Sequence, residues 1–202
     1  MIKNVIFDFG GVILKHGNNL MEKILAKMFT LPYDKACEIW KENKEPLIIG
    51  RKNSRQFLKK LKKLLQCNLT VNQLLMAWKA QYKKETASIN LELINFIELL
   101  KEKYNLYLFT DTIDIHDKYN SQRNIYNKFT KVFKSYKEKL KKPDKEAYLN
   151  VLNKINAKPN ECVFIDDLEK NVRAAVRVGV KGIVYKNFKQ LKNELGRMGI
   201  TP

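Results

Sequence analysis

The stretch "VIFDFGGVIL", residues 5–14, ends an apolar run on one carboxylate, Asp8, and follows it with Gly10 and Gly11. A carboxylate so placed can attack an electrophilic centre or ligate a divalent cation. The glycines lack a Cβ, so the chain behind Asp8 can turn sharply and bring main-chain N–H groups close to an anion. Two further apolar runs end in polar groups: "LYLFTDT" (106–112) in Thr110 and Asp111, and "CVFIDDLEKN" (162–171) in Asp166 and Asp167. A Lys-rich segment, "KKPDKEAY" (141–148), places Lys142 directly before Pro143. Carboxylates, a hydroxyl and a cation suit phosphoryl transfer, because a carboxylate repels a phosphate dianion unless positive charge is close to both.

These groups converge only if the runs that carry them are neighbouring strands. Short apolar, β-branched runs occupy residues 4–9, 106–110, 162–166 and 182–185, with a weaker one at 131–135. Helix-like segments such as "ELINFIELLKEKYN" and "KEAYLNVLNKINAKPNE" lie between them. Strand alternating with helix predicts an α/β fold, a Rossmann-like parallel sheet with helices on both faces. Ligands of such sheets bind beyond the carboxyl ends of the strands. Residues 16–88 break the alternation: they read as helix throughout, with turns at "LPYD", "EPLIIGRKNS" and "QCNLT". The division that follows is a core of residues 1–15 and 89–202 and a helical insertion of residues 16–88.

In this order, and with a helical insertion after the first, the four quoted segments resemble the four motifs of the haloacid dehalogenase (HAD) superfamily. They span the core from residue 5 to about 180, and the insertion sits where helical-cap members of that superfamily carry their cap. The resemblance implies a Mg²⁺-dependent phosphatase acting on a small phosphorylated metabolite such as a sugar phosphate. It implies that Asp8 is the nucleophile and forms an aspartyl-phosphate, and that Lys142 is a fixed cation on the nucleophile and the phosphate oxygens. Thr110 would donate its hydroxyl to the phosphate, with Gly10, Gly11 and Asp111 lining the same place. Asp8, the Gly10 carbonyl, Asp166 and Asp167 would hold Mg²⁺, with Asp166 as the direct ligand. Selectivity is expected in the turn "EPLIIGRKNS", where Arg51 and Arg55 stand between two helices of the insertion.

One position departs from the pattern. Most phosphatases of the superfamily place a second Asp two residues after the nucleophile, where it protonates the leaving oxygen and then activates water; here the residue is Gly10. Glycine retains the backbone carbonyl and lacks the acid, as in some members resembling sugar-phosphate phosphatases. His16, at the entrance to the insertion, is the one imidazole near the first motif and reads as a linker histidine or a surrogate acid. A metal-independent dehalogenase also lacks the second Asp, but the Asp166–Asp167 pair sits poorly with it. A non-catalytic binding or regulatory protein is the remaining alternative. Asp111, Asp114, His116 and Asp117 form a possible second metal cluster, better explained as acidic residues opening a helix. Asp166 and Asp167 also suit a helix N-terminus, where carboxylates complement the amide dipoles.

Composition sets the outer bounds. The chain has 202 residues, 45% of them hydrophobic, and a chain of this size buries roughly 70% of its unfolded surface. The formal charge of +18 would ordinarily suggest nucleic acid. However, only Arg51, Arg55, Arg123, Arg173, Arg177 and Arg197 among the 39 basic residues are arginines. In "FLKKLKKLLQ" the apolar positions 57, 58, 61, 64 and 65 recur at helical spacing, leaving Lys59, Lys60, Lys62 and Lys63 on a solvated face. No specific nucleic-acid partner is expected. Cys37, Cys67 and Cys162 form neither a disulfide framework nor a zinc pattern, which fits a cytoplasmic protein. No run approaches the roughly 18 apolar residues of a membrane span, and no feature of the sequence specifies an oligomeric state.

Overall fold

The computed structural model describes residues 1–15 and 19–202; His16 lies outside them. Five parallel strands, β1 (Asn4–Phe7), β2 (Asn105–Thr110), β3 (Lys131–Lys134), β4 (Cys162–Asp166) and β5 (Lys181–Val184), form one sheet in the order β3-β2-β1-β4-β5. The runs ending at Asp8, Thr110 and Asp166 are therefore the three adjacent central strands. Their registers pair Phe7 with both Leu108 and Ile165, so the polar residues that follow emerge at one edge. The chain visits β2 and β3 on one side of β1 and then crosses to β4 and β5 on the other. That reversal of strand order opens a crevice at the carboxyl ends beside β1.

Both faces of the sheet are buried, which explains why the central strands read as almost unbroken apolar runs. Side chains alternate between two cores. Val5, Phe7, Leu106, Leu108, Val163 and Ile165 face helices α5 (Leu91–Leu100) and α10 (Phe188–Arg197), which contribute Leu93, Ile97, Leu191 and Leu195. Ile6, Tyr107, Phe109 and Phe164 face α8 (Lys145–Lys154) and α9 (Glu169–Arg177), which contribute Ala147, Tyr148, Val151, Ala174 and Ala175. Two shorter helices, α6 (Asp114–Asn120) and α7 (Ser135–Glu138), follow β2 and β3 and flank the crevice.

The inserted segment folds as α1 (Leu20–Phe29), α2 (Tyr33–Ile48), α3 (Ser54–Leu64) and α4 (Val71–Glu85). Reciprocal caps start α3 and α4: Asn53 with Gln56, and Thr70 with Gln73. Trp40, Phe57 and Trp78 meet edge to face inside it, and this packing is continuous with the first core. The chain departs and returns side by side, with Lys15 N–H donating to the Ser88 carbonyl and Asn90 N–H to that of Ile13. Of the lysines in α3, Lys59, Lys60 and Lys63 are exposed, while Leu64, expected on the buried face, is exposed as well.

Several boundaries differ from expectation by a residue or more: β2 begins at Asn105, and β3 and β5 end at Lys134 and Val184. β1 stops at Phe7, because the Phe9 carbonyl is taken by Ile13 and Leu14 N–H groups that close a turn. β5 begins at Lys181 and not at 182. The turn expected at 45–54 is shorter, since α2 continues through Pro46 to Ile48. A mid-helix proline loses one N–H donor, but Ile39, Asn43 and Leu47 keep the helix packed on either side of it.

The ring of Phe164 is buried between Phe109 and Tyr148, with centroids 6.0 and 5.6 Å away. Replacement of Phe164 by Ala is expected to cost about 3–5 kcal/mol in a denaturant titration, as a large aromatic deleted from a sheet core does.

Candidate active site

One ammonium group organises the carboxyl edge of the sheet. Lys142 Nζ lies 2.6 Å from Asp8 Oδ1 and 2.6 Å from Asp166 Oδ2, and donates to the Phe109 carbonyl at 3.2 Å. It is buried above the rings of Phe109 and Phe164. Burial opposes its charge, but Asp8, Asp166 and Asp111 outweigh that cost and hold its pKa well above the ordinary lysine value. The loop that carries it is tied down by Asp111, whose Oδ1 accepts the Lys142 backbone N–H at 3.1 Å.

The acidic partners differ in how they are held. Asp166 is fully buried: its Oδ1 accepts Leu168 N–H at 2.8 Å, and Asn171 Nδ2 donates to both oxygens at 3.0 Å. Tyr148 anchors that arrangement from below by donating to the Asn171 carbonyl at 2.8 Å. Asp8 has fewer donors, and burial pushes its carboxyl up to about 8 against the pull of Lys142. Ligand oxygens of Asp8, Asp166 and Asp167 lie within 4.8 Å of one another. Three carboxylates grouped so closely form an all-oxygen donor set, which suits a hard divalent cation such as Mg²⁺. Among the described residues, the buried Asn171 Oδ1 beside this group has no hydrogen-bond partner.

A cleft of about 510 Å³ opens above these groups, and Asp8, Gly10, Thr110, Asp111, Lys142 and Asp167 all line it. Gly11 does not. It adopts φ 76°, and a Cβ there would collide with the Asp167 carboxylate, so its service is to let Asp167 approach the turn. Arg51 is also outside the cleft. It is exposed and borders a separate groove of about 250 Å³ with Asn43, Gln56 and Lys60. The turn meets the core through Gly50 instead, where φ is 65° and a Cβ would strike the Tyr136 carbonyl. Arg55 bonds Asn72 within the insertion. The second acidic group is dispersed: Asp114 accepts from Ser54 N and Oγ at 3.0 and 2.5 Å, and Asp117 pairs with Lys134 and Tyr136. Among the described residues, the only set of three or more His, Cys, Asp or Glu side chains close enough to share a cation is Asp8, Asp166 and Asp167.

The outer cleft includes residues not among the expected site residues. The inserted segment contributes Asn19, Leu20 and Tyr82, and the core contributes Thr112, His116, Asn120 and Asn171. Tyr82 stacks on His116 with centroids 3.8 Å apart, His116 Nε2 accepts from Trp78 Nε1 at 3.0 Å, and Asn120 Nδ2 donates to the Tyr82 hydroxyl at 2.8 Å. Thr112 and Asn171 lie within the quoted strand-end segments and His116 within the acidic run after β2, whereas nothing in the sequence singles out Asn19, Leu20, Tyr82 or Asn120.

A family model described as haloacid dehalogenase-like hydrolase matches residues 2–179. A D-ribitol-5-phosphate phosphatase from Bacteroides thetaiotaomicron is 24% identical over 204 residues, covering 96% of this chain and 97% of the relative. A HAD family enzyme of the same organism, solved with magnesium and inorganic phosphate, superposes with a TM-score of 0.80 at 23% identity, covering 95% of this chain and 99% of that one. A 2-haloacid dehalogenase from Pseudomonas syringae reaches a TM-score of 0.69 at 16% identity, with 98% of this chain and 100% of that one covered. Phosphatase and dehalogenase thus share the fold, and the choice between them rests on the site.

Gly11→Ala forces a left-handed residue to carry a Cβ, at about 1–2 kcal/mol, and displaces Asp167. Calorimetric titration of the variant is expected to show Mg²⁺ binding at least about tenfold weaker than in the parent protein, this being the cost of disturbing a ligand or the group that orients it.

Proposed function

The chain belongs to the haloacid dehalogenase-like hydrolases, and we propose that within this family it is a Mg²⁺-dependent phosphomonoesterase acting on a small phosphorylated metabolite through an aspartyl-phosphate on Asp8. The observation that carries this reading is the Asp8–Lys142–Asp166 arrangement beside Asp167 at the mouth of a cleft. A buried charge cluster contributes little to stability and is costly to desolvate, so a binding protein would gain nothing from it. A metal-independent dehalogenase would have no use for three carboxylates clustered in this way.

Asp8, the Gly10 carbonyl, Asp166 and Asp167 would hold the cation. When bound, Mg²⁺ supplies positive charge at the phosphate oxygens and keeps Asp8 ionised against the effect of burial. Asp8 then attacks phosphorus while Lys142 holds its carboxylate in place and faces the developing charge. Thr110, at the end of β2, donates its hydroxyl to a phosphate oxygen. Asn171 and Leu168 N–H keep Asp166 from turning away. The inserted helices close the outer cleft with Tyr82 and Leu20, which limits water at the site and presents polar groups to the leaving alcohol. The resemblance to a D-ribitol-5-phosphate phosphatase supports a sugar or polyol phosphate as substrate. No helix among the described residues is long and apolar enough to cross a membrane, and the three cysteines are free, which supports a cytoplasmic location.

Asp8→Asn keeps the side-chain shape and loses the nucleophilic charge. Phosphate release from a panel of sugar and polyol phosphates is expected to fall to background with an unchanged circular dichroism spectrum, and turnover near the parental rate would rule the assignment out. Chelation with EDTA should abolish activity and added Mg²⁺ restore it; phosphate release indifferent to both would dismiss the metal.

A further inference from the structure

We propose that Asp111 is the acid and base of the reaction, protonating the leaving oxygen in the first step and accepting a proton from water in the second, in place of the side chain that Gly10 lacks. The inference rests on the phosphatase reading above and adds a catalytic residue to it.

Besides the nucleophile Asp8 and the hydroxyls of Thr110 and Thr112, five side chains among the described residues that line the cleft carry a transferable proton: Lys142, Asp167, Tyr82, His116 and Asp111. Lys142 is committed to Asp8, Asp166 and the Phe109 carbonyl. Asp167 belongs to the carboxylate trio and lies against Gly11. Burial pushes the Tyr82 hydroxyl up to about 12, far from the neutral range in which a general acid works well. His116 has its Nε2 engaged by Trp78 and its ring stacked under Tyr82, so it serves to fasten the inserted helix α4 to α6.

Asp111 differs from all four. It follows Thr110 directly, beyond the end of β2, and borders the cleft. Its Oδ1 is fixed by the Lys142 N–H at 3.1 Å, and among the described residues no hydrogen bond reaches Oδ2. The carboxyl is thus oriented by one oxygen and available through the other. Burial raises its pKa above the ordinary aspartate value; Lys142 and Lys141 oppose this and Asp166 reinforces it. A phosphate dianion beside Thr110 pushes in the same direction. An ionised Asp111 would repel that dianion, whereas the protonated group can donate to it or to the ester oxygen.

The steps balance. An Asp8 oxygen forms a bond to phosphorus, the bond from phosphorus to the ester oxygen breaks, and the Asp111 proton passes to that oxygen, releasing the alcohol and leaving Asp111 a carboxylate. Water then attacks the aspartyl-phosphate, its proton goes to Asp111, and inorganic phosphate leaves with Asp8 restored.

The test compares kcat/KM on phosphate esters of graded leaving-group pKa, at saturating Mg²⁺, for the parent protein, Asp111→Asn and Asp111→Ala. The amide of Asp111→Asn still accepts the Lys142 N–H, so it keeps the loop and removes only the acid. Expected is a shallow dependence on leaving group in the parent. In Asp111→Asn we expect a loss of about 10²–10⁴-fold on alkyl phosphates, little change on aryl phosphates, and disappearance of the fall in activity at high pH. A parental rate for Asp111→Asn on alkyl phosphates would overturn the proposal, as would an equal loss on every ester, which marks a loop-positioning role. Asp111→Ala distinguishes the two: it should lose activity on aryl phosphates as well, because it releases Lys142. If the parent protein hydrolyses no ester with Mg²⁺, the phosphatase reading fails and this proposal with it.

Discussion

The buried ammonium of Lys142 is the interaction on which the rest of the site depends. It joins β1 and β4 through Asp8 and Asp166 and is itself joined to β2 through the Phe109 carbonyl and through Asp111. Three strands and one loop therefore converge on a single charge. Such a charge is stable in an apolar surround only if its counter-charges stay within hydrogen-bond reach. The constraint runs both ways: the sheet must hold its strands in register to keep Lys142 paired, and the pairing fixes the carboxylates that face the cleft. The two cores below supply the rigidity, since Phe109 and Phe164 pack on Tyr148 directly beneath the ammonium.

The sheet was legible in the sequence because parallel strands are buried on both faces and so appear as short apolar runs between helices. The residues at their ends were legible for the same reason, being polar where such runs stop. Asp8, Thr110, Lys142, Asp166 and Asp167 do meet, as the strand-end reasoning requires. What could not be read is what depends on contacts distant in the chain. Tyr82 reaches the cleft only because α4 docks on α6 through Trp78 and His116. Arg51, one residue from the contact point, stays outside because the turn touches the core at Gly50. Pro46 suggests a break, and tertiary packing overrides it. Gly10 and Gly11 look equivalent in the sequence, yet one lines the cleft and the other accommodates a carboxylate.

The inserted helices and the core form a continuous apolar body with polar fastenings at its margin. Ser54 bonds Asp114, Lys139 donates to the Gly50 carbonyl at 2.8 Å, and Arg123 donates to the Thr86 carbonyl at 2.8 Å. These contacts are individually weak and fasten the inserted helices to the core at three separate places. The outer cleft is thereby shaped by residues of both parts, and a change of substrate preference could arise in either without touching the carboxylates.

The distribution of charge has a kinetic consequence. The chain carries a net +18, while Lys142 is the only cation among the described residues that line the cleft. A surface of one sign raises the rate at which oppositely charged molecules arrive, and salt suppresses that gain. Anions of every kind are therefore drawn to this protein alike: arrival is set by the far field, and discrimination by the residues that line the cleft. The two are separable, because exposed lysines govern how often an anion arrives and the lining of the cleft governs which anions fit.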